Sequence, residues 1–358
     1  MPITVADEYS PSLDQHYIIG PTIAREIGYR ILWQTQVNPM GHSGITEFTV
    51  HDDSVFVLDG QNFLTRISRE EGDRIWNLAV EDPIVEIQGI TYLPEKERVY
   101  LTAGGDLLEL DAANGAQVDR QRLSQMASTR PVVFGPMMIY GSRSGQLVWH
   151  AYGVRNQWRA YYIAPTIETQ PILQGDLIVT VSSDGLVAVL SAQDTSMYWS
   201  KQLLDAVVST PAVGNGAVFV SGRDQNLWAF DLGNGRRLWK YLTESPLTAS
   251  PSVIGDRVYQ YIPTEGLVCL TAVPRSAPGG EVKWTCAEAR GEVLAEHQGV
   301  LHCWDAASKT LFTIAAGSGH LVDSISLPRV RHLLAPETTS GDIFAASDDG
   351  RIIRLTPR

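Results

Sequence analysis

Histidine and cysteine are the residue types in this chain best suited to metal or nucleophilic chemistry, and their spacing argues against both. Four of the eight histidines fall close together, His297, His302, His320 and His332, but steps of 5, 18 and 12 residues match no zinc-ligand pattern. They read as core or solvated side chains. Cys269, Cys286 and Cys303 are odd in number and lack C-x-x-C spacing, which fits neither a disulfide framework nor a zinc site. Buried free thiols are expected, with one bridge among the three as the alternative. Gly41-His42-Ser43-Gly44 is not the Gly-x-Ser-x-Gly of a nucleophile elbow. Asp184-Gly185 and Asp348-Asp349-Gly350 resemble pieces of calcium loops, yet β-turns explain them fully. No catalytic, metal-ligating or cofactor-binding residues are expected, and no cofactor. The remaining chemistry is electrostatic: Arg130, Arg143 and Arg223 stand next to turns and could attract an anion.

The elements that would carry those arginines are short strands. Thr210 to Trp239, TPAVGNGAVFVSGRDQNLWAFDLGNGRRLW, holds short apolar runs, each closed by a Gly-, Asn- or Asp-rich turn. Such runs encode antiparallel strands joined by tight turns, here four of them. One four-stranded unit cannot bury both faces alone, so it needs neighbours of its own kind. Pro131, Pro171, Pro211 and Pro251 are each 40 residues apart, and each opens a strand, where a missing N–H is tolerated. About ten residues on lie MMIYGS, LIVTVSS, AVFVSG and RVYQYI, then turns at 144–145, 184–185, 224–225 and 265–266.

A second register ends each unit, in which an alanine-like first position is followed by glycine seventh and tryptophan eleventh. Eleventh positions fall at Trp33, Trp76, Asp119, Trp158, Trp199, Trp239, Trp284 and Asp323, spaced 43, 43, 39, 41, 40, 45 and 39. The tryptophans are expected to dock blade on blade, the indole lying on peptide planes of the next repeat. The last unit, 330–356, lacks an outer strand, and 28–37 has a motif tryptophan without three strands before it. Joined, they close a ring and remove the exposed edges. The expected fold is an all-β, eight-bladed propeller of four-stranded antiparallel blades. Its blades are read at about 45–80, 86–122, 129–162, 168–203, 208–243, 248–286, 291–327 and 330–356 plus 28–37, after an N-terminal arm, 1–27. The propeller occupies 28–358, one domain in a monomeric ring.

At 229–239, and in part at 109–119 and 66–76, the sequence resembles the pyrroloquinoline-quinone-type propeller repeat, close to Ala-x-Asp-x-x-x-Gly-x-x-x-Trp. Eight such blades are similar to BamB-like outer-membrane assembly proteins, which are non-catalytic scaffolds. That resemblance implies protein partners and a place in the bacterial cell envelope. The alternative is a small-ligand or quinoprotein-type oxidoreductase using the channel mouth. Quinoprotein dehydrogenases, however, carry adjacent paired cysteines and a calcium-holding carboxylate set, and this chain has neither.

Composition bounds the partners. A net charge of −12 over 358 residues disfavours nucleic acid, and no apolar run reaches the length of a membrane span. MPITVADEYSPSLDQHY has no basic n-region or apolar h-region, so the periplasm or envelope is expected only with a leader removed, otherwise the cytoplasm. Nor does the sequence hold the N-terminal lipid-anchored cysteine that the resemblance implies. Topology puts the A–B and C–D turns on one face of the ring, and the B–C turns and D–A connectors on the other. Arg130, Gln170, Thr210 and Ser250, at the entries to innermost strands, are expected to ring the channel mouth on the connector face. Arg130 either attracts an anion or pairs with a rim carboxylate; Arg143 and Arg223 sit in B–C turns of the same face. The 34–44 connector is expected to cover part of it.

Overall fold

Strand after strand in this sequence is apolar at consecutive positions, the mark of a sheet covered on both faces. The computed structural model, which describes residues 14–38, 44–163, 165–275, 277–339 and 341–358, shows why. In blade 5 the strands Ala212–Gly214, Ala217–Gly222, Asn226–Asp231 and Arg237–Leu242 pair in sequence order, all antiparallel. Every residue of Ala217–Gly222 is buried, because this second strand is sandwiched between the neighbouring blades. The same four-stranded meander recurs at 45–79, 87–122, 132–162, 172–202, 252–286 and 292–326. Eight blades form the ring, as the spacing predicts. Pro131, Pro171, Pro211 and Pro251 each stand immediately before an innermost strand, at Val132, Ile172, Ala212 and Ser252.

The eighth blade joins the two ends of the chain. His332–Leu334, Ile343–Ala346 and Arg351–Pro357 supply three strands, and Tyr29–Gln36 adds the outer one, paired from Tyr29 with Pro357 to Gln36 with Arg351. Residues 17–28, just before that strand, pack onto the ring rather than extending the sheet. Tyr17, Ile18 and Ile19 are buried, the Ile18 N–H donates to Gln34 Oε1 at 2.8 Å, and a short helix, Pro21–Glu26, follows.

Five of the motif tryptophans tie one blade to the next. The Trp239 indole N–H donates to the Ala272 carbonyl at 2.8 Å, Trp199 to Leu232 at 2.8 Å, and Trp284 to Ala316 at 2.9 Å. Trp76 reaches Ala112 at 2.7 Å, and Trp33 reaches Arg69 at 2.9 Å across the closing seam. Each acceptor lies in the C–D turn of the following blade, and each indole lies against that turn. A Cβ built on Gly235, which has φ +68°, would stand 2.5 Å from the Trp199 ring. Glycine is therefore required there twice over, for its φ and for the contact. The equivalent turn of blade 4 makes do with Thr195 at φ 69°.

Trp158 departs from this scheme. It is 47% exposed on the outer strand of blade 3 and pairs with His150, one residue out of step. The rung that holds Ala229 opposite Trp239 holds Trp149 opposite Arg159 in blade 3. Trp149 is fully buried, and its indole N–H donates to the Ala192 carbonyl at 2.9 Å; Arg159 donates to the next carbonyl, Gln193, at 2.7 Å. The indole has moved from the outer strand to its neighbour on the same rung. A slip of one residue along a strand reverses the side chain, which turns Trp158 outward.

Cys269, Cys286 and Cys303 are free and buried in one cluster spanning blades 6 and 7. Burial pushes all three thiols above their ordinary range. Among the described residues no helix is long and apolar enough to cross a membrane.

Candidate functional site

The innermost strands position the candidate channel-mouth residues. Arg130, half-buried just before the first strand of blade 3, reaches over Gly89 of blade 2, where a Cβ would stand 2.7 Å from its side chain. Its guanidinium pairs with Glu47 on the innermost strand of blade 1 at 2.5 Å. Burial raises the Glu47 carboxyl above its usual range, and Arg130 opposes that shift through its charge and hydrogen bond. The rim-carboxylate alternative therefore describes this arginine, and its charge is already engaged. Ser250 meets a carboxylate through its backbone, the N–H donating to Glu292 Oε1 at 2.8 Å. Gln170 and Thr210 are half-buried at equivalent places, and among the described residues no hydrogen bond joins these four side chains to one another.

Of the two B–C turn arginines, Arg143 forms an exposed ion pair with Glu86 of the blade 1–2 connector at 2.5 Å. Arg223 is exposed, and its backbone N–H donates to Ala206 at 3.0 Å. Of the 34–44 connector, 39–43 lies outside the described residues, and with it most of the Gly-His-Ser-Gly stretch. His297 and His302 are buried in blade 7 beside Tyr29, with ring centroids 5.7 and 5.3 Å from the tyrosine, and His302 meets the Ile27 carbonyl at 3.0 Å. Among the described residues no group of three His, Cys, Asp or Glu side chains is placed to hold a metal ion.

A cavity lies on the face of the A–B and C–D turns. It measures about 340 Å³ and is lined by His51 and Asp52 of blade 1, Tyr92 and Pro94 of blade 2, and Pro336 and Glu337 of blade 8, with Arg69 at its side. All three A–B connections contribute, because blade 2 inserts the 3-10 turn Pro94–Lys96 and the connection after Leu334 is long. His51 stacks edge-on against Phe56 and Tyr92, and burial together with the Arg130 charge lowers its pKa to about 4. The Tyr92 hydroxyl donates to Asp53 at 2.9 Å and accepts from Arg66 at 3.0 Å. Among the charged lining residues, Arg69 pairs with Glu337 at 3.8 Å.

The connector face shows a different feature, large apolar side chains left in water. Ile84 is 91% exposed and Leu204 is 90% exposed; Met126 and Val208 are about half exposed, at 48% and 47%. The 40-residue repeat supplies the comparison that gives this meaning. Slots equivalent to Leu204 hold Ser124, Ala164 and Glu244, and those equivalent to Val208 hold Ser128, Glu168 and Thr248. The fold has no need of an apolar residue at either place. Buried Val207 keeps company with Ala127, Ile167 and Leu247 in its own slot, so the alternation itself is intact.

A family model described as outer membrane protein assembly factor BamB matches residues 29–135 and 134–287, well over half the chain. The chain belongs to this family. Among curated relatives, the outer membrane protein assembly factor BamB of Salmonella typhimurium is 23% identical, over 94% of this chain and 91% of the relative. The protein of the same name from Escherichia coli K12 is 22% identical over the same shares. Among solved structures, BamB from Moraxella catarrhalis superposes with a TM-score of 0.68 at 17% identity, covering 90% of this chain and 97% of that one. A computationally designed protein, Ika8, superposes with a TM-score of 0.66 at 13% identity over 91% and 100% of the two chains. At those identities both structural likenesses speak for the propeller alone. In the BamB family setting, the cavity and the connector face are the surfaces to weigh.

Proposed function

We propose that this chain is a non-catalytic scaffold of outer membrane protein assembly, acting on the periplasmic side of the envelope and holding an assembly partner on its connector face. The observation that carries the reading is the pair Leu204 and Val208, large apolar side chains in slots that sister blades fill with Ser, Ala, Thr or Glu, and exposed. Burying two such side chains against a partner contributes about 1.5–3 kcal/mol each, enough to anchor an interface whose remaining contacts are nearly neutral. Ile84 and Met126 extend the same face over blades 1 to 3. Arg223, exposed beside the Ala206 carbonyl, supplies a polar rim. The channel mouth offers a ligand less, because Arg130 already faces Glu47.

The test replaces Leu204 and Val208 by the serines that occupy sister slots, Leu204→Ser with Val208→Ser. Both are surface changes in a repeat that tolerates serine there, so the ring should keep its melting temperature. Photo-crosslinking from position 204 in envelope membranes should yield a discrete adduct with another assembly protein. The double variant should lose that partner on co-purification and lower the level of folded outer membrane proteins. Full retention of the partner by the double variant would remove the reading.

A further inference from the structure

In a chain of net charge −12, the outer strands of blades 1, 3, 4, 5, 6 and 8 carry no acid, and those of blades 3 to 5 combine Arg159, Lys201, Arg237 and Lys240 with exposed aromatic side chains. They read WRAYY in blade 3, MYWSKQ in blade 4 and RLWKYL in blade 5, with Arg236 immediately before the last. Acids in the same region sit on turns, connectors or the end of an inner strand: Glu168, Asp176, Asp184, Asp194, Asp205, Asp224, Asp231 and Glu244. Blade architecture thus sorts charge, with anions on the two faces and cations on the rim. Among the described residues no ion pair involves any side chain between 156 and 255, whereas blades 1, 2 and 8 pair arginine after arginine with carboxylates, and blade 3 gives up Arg155 of its C–D turn to Asp119 of blade 2. Lys201, Arg236 and Arg237 are exposed. Arg159 donates to a carbonyl, with Asp194 nearby, and Lys240 lies over the Trp228 ring, 5.3 Å from its centroid.

Aromatic side chains interleave with these cations and are equally uncovered. Trp158 is 47% exposed, Tyr162 63%, Tyr198 55% and Leu242 67%. Tryptophan and tyrosine with apolar bodies and polar tips, set among long basic side chains, match the headgroup layer of a bilayer. Guanidinium groups pair with phosphate oxygens in a geometry ammonium cannot copy. An outer rim is convex, so it offers no pocket for a protein anchor, but a planar surface can touch it.

We propose that the outer edge of blades 3 to 5 is a membrane-contact surface that docks the ring, edge-on, against anionic phospholipid headgroups. The inference rests on the assembly reading only in placing a bilayer within reach; the contact itself involves the rim rather than the connector face. The test uses the full chain and sedimentation with vesicles of phosphatidylglycerol and phosphatidylcholine, against vesicles of phosphatidylcholine alone. Binding is expected to the anionic vesicles only, and to be released at about 1 M salt, where the screening length falls to ~3 Å. Arg236→Gln with Arg237→Gln should weaken it about 25-fold, roughly fivefold per charge removed. Trp158→Ala should weaken it severalfold, while Leu204→Ser with Val208→Ser should leave it unchanged. Circular dichroism and melting temperature should match the wild type in every variant. Absence of binding to anionic vesicles, or binding indifferent to the arginine pair, overturns the proposal. So does a photo-crosslink from position 158 that goes to an acidic protein instead of lipid. Retention of the partner by Leu204→Ser with Val208→Ser, with vesicle binding intact, would fail the assembly reading alone.

Discussion

Replacing Trp149 by alanine should damage this ring far more than replacing Trp158, although the motif spacing points to Trp158. Trp149 is fully buried among residues of blades 3 and 4, including Ile139, Ile178 and Leu190. Removing an indole of about 250 Å² at ~25 cal/mol per Å² sets an upper bound near 6 kcal/mol. Partial collapse of the cavity brings the usual cost of Trp→Ala to about 3–5 kcal/mol. The lost bond to the Ala192 carbonyl lies within that sum, and Trp149→Phe isolates it at roughly 1–2 kcal/mol. Trp158, about half exposed on the outer edge, should cost about 1 kcal/mol or less. Denaturant midpoints followed by far-ultraviolet circular dichroism would rank the three variants without relying on the deleted fluorophore. Hydrogen exchange should show the loosening of Trp149→Ala at the blade 3–4 seam, around Ala192. A Trp158→Ala midpoint shifted as far as that of Trp149→Ala would refute the account of blade docking.

Thr195 holds a left-handed backbone in the slot that Gly235 occupies one blade later, so Thr195→Gly should raise stability by about 1 kcal/mol, read as a higher denaturant midpoint. Gly235→Ala should do the reverse by about 2 kcal/mol or more, since its Cβ meets the Trp199 ring. Stability should also fall on acidification through one identifiable group. His51 titrates near 4 in the fold against an ordinary 6.5, so between those values the unfolded chain binds a proton that the folded chain refuses. Its contribution is complete above pH 6.5 and is lost as pH falls toward 4, by up to about 3 kcal/mol. Buried His150 and His302 are displaced in the same direction and add to the slope. His51→Asn should flatten the pH dependence of the melting temperature across that window, and an unchanged slope would show that His51 is not its source.

Much of the architecture was legible because propeller strands are short, local and repeated. The 40-residue proline spacing and the B–C turns follow from neighbours in sequence, and the split eighth blade follows from an unpaired motif strand at one end and a three-stranded unit at the other. The candidate site was less legible. Arg130 could be placed at the entry to an innermost strand, but its partner Glu47 lies 83 residues away, on the far side of blade 2. The apolar departures at Leu204 and Val208 stand in the repeat alignment, yet only exposure separates them from buried Val207 beside them.

The sequence by itself determined the number of blades and their order, which depend on a period and on turn residues that act locally, and the closure of the ring, which follows from the missing outer strand at one end and the lone motif strand at the other. Tertiary structure alone decided which tryptophan of blade 3 docks, because one residue of register reverses a strand side chain. It also decided that the A–B connections of blades 8, 1 and 2 gather around a cavity, and that cations without an ion pair among the described residues lie along the outer strands of blades 3 to 5. Those groupings join residues scores of positions apart, and only the packing of blade against blade brings them together.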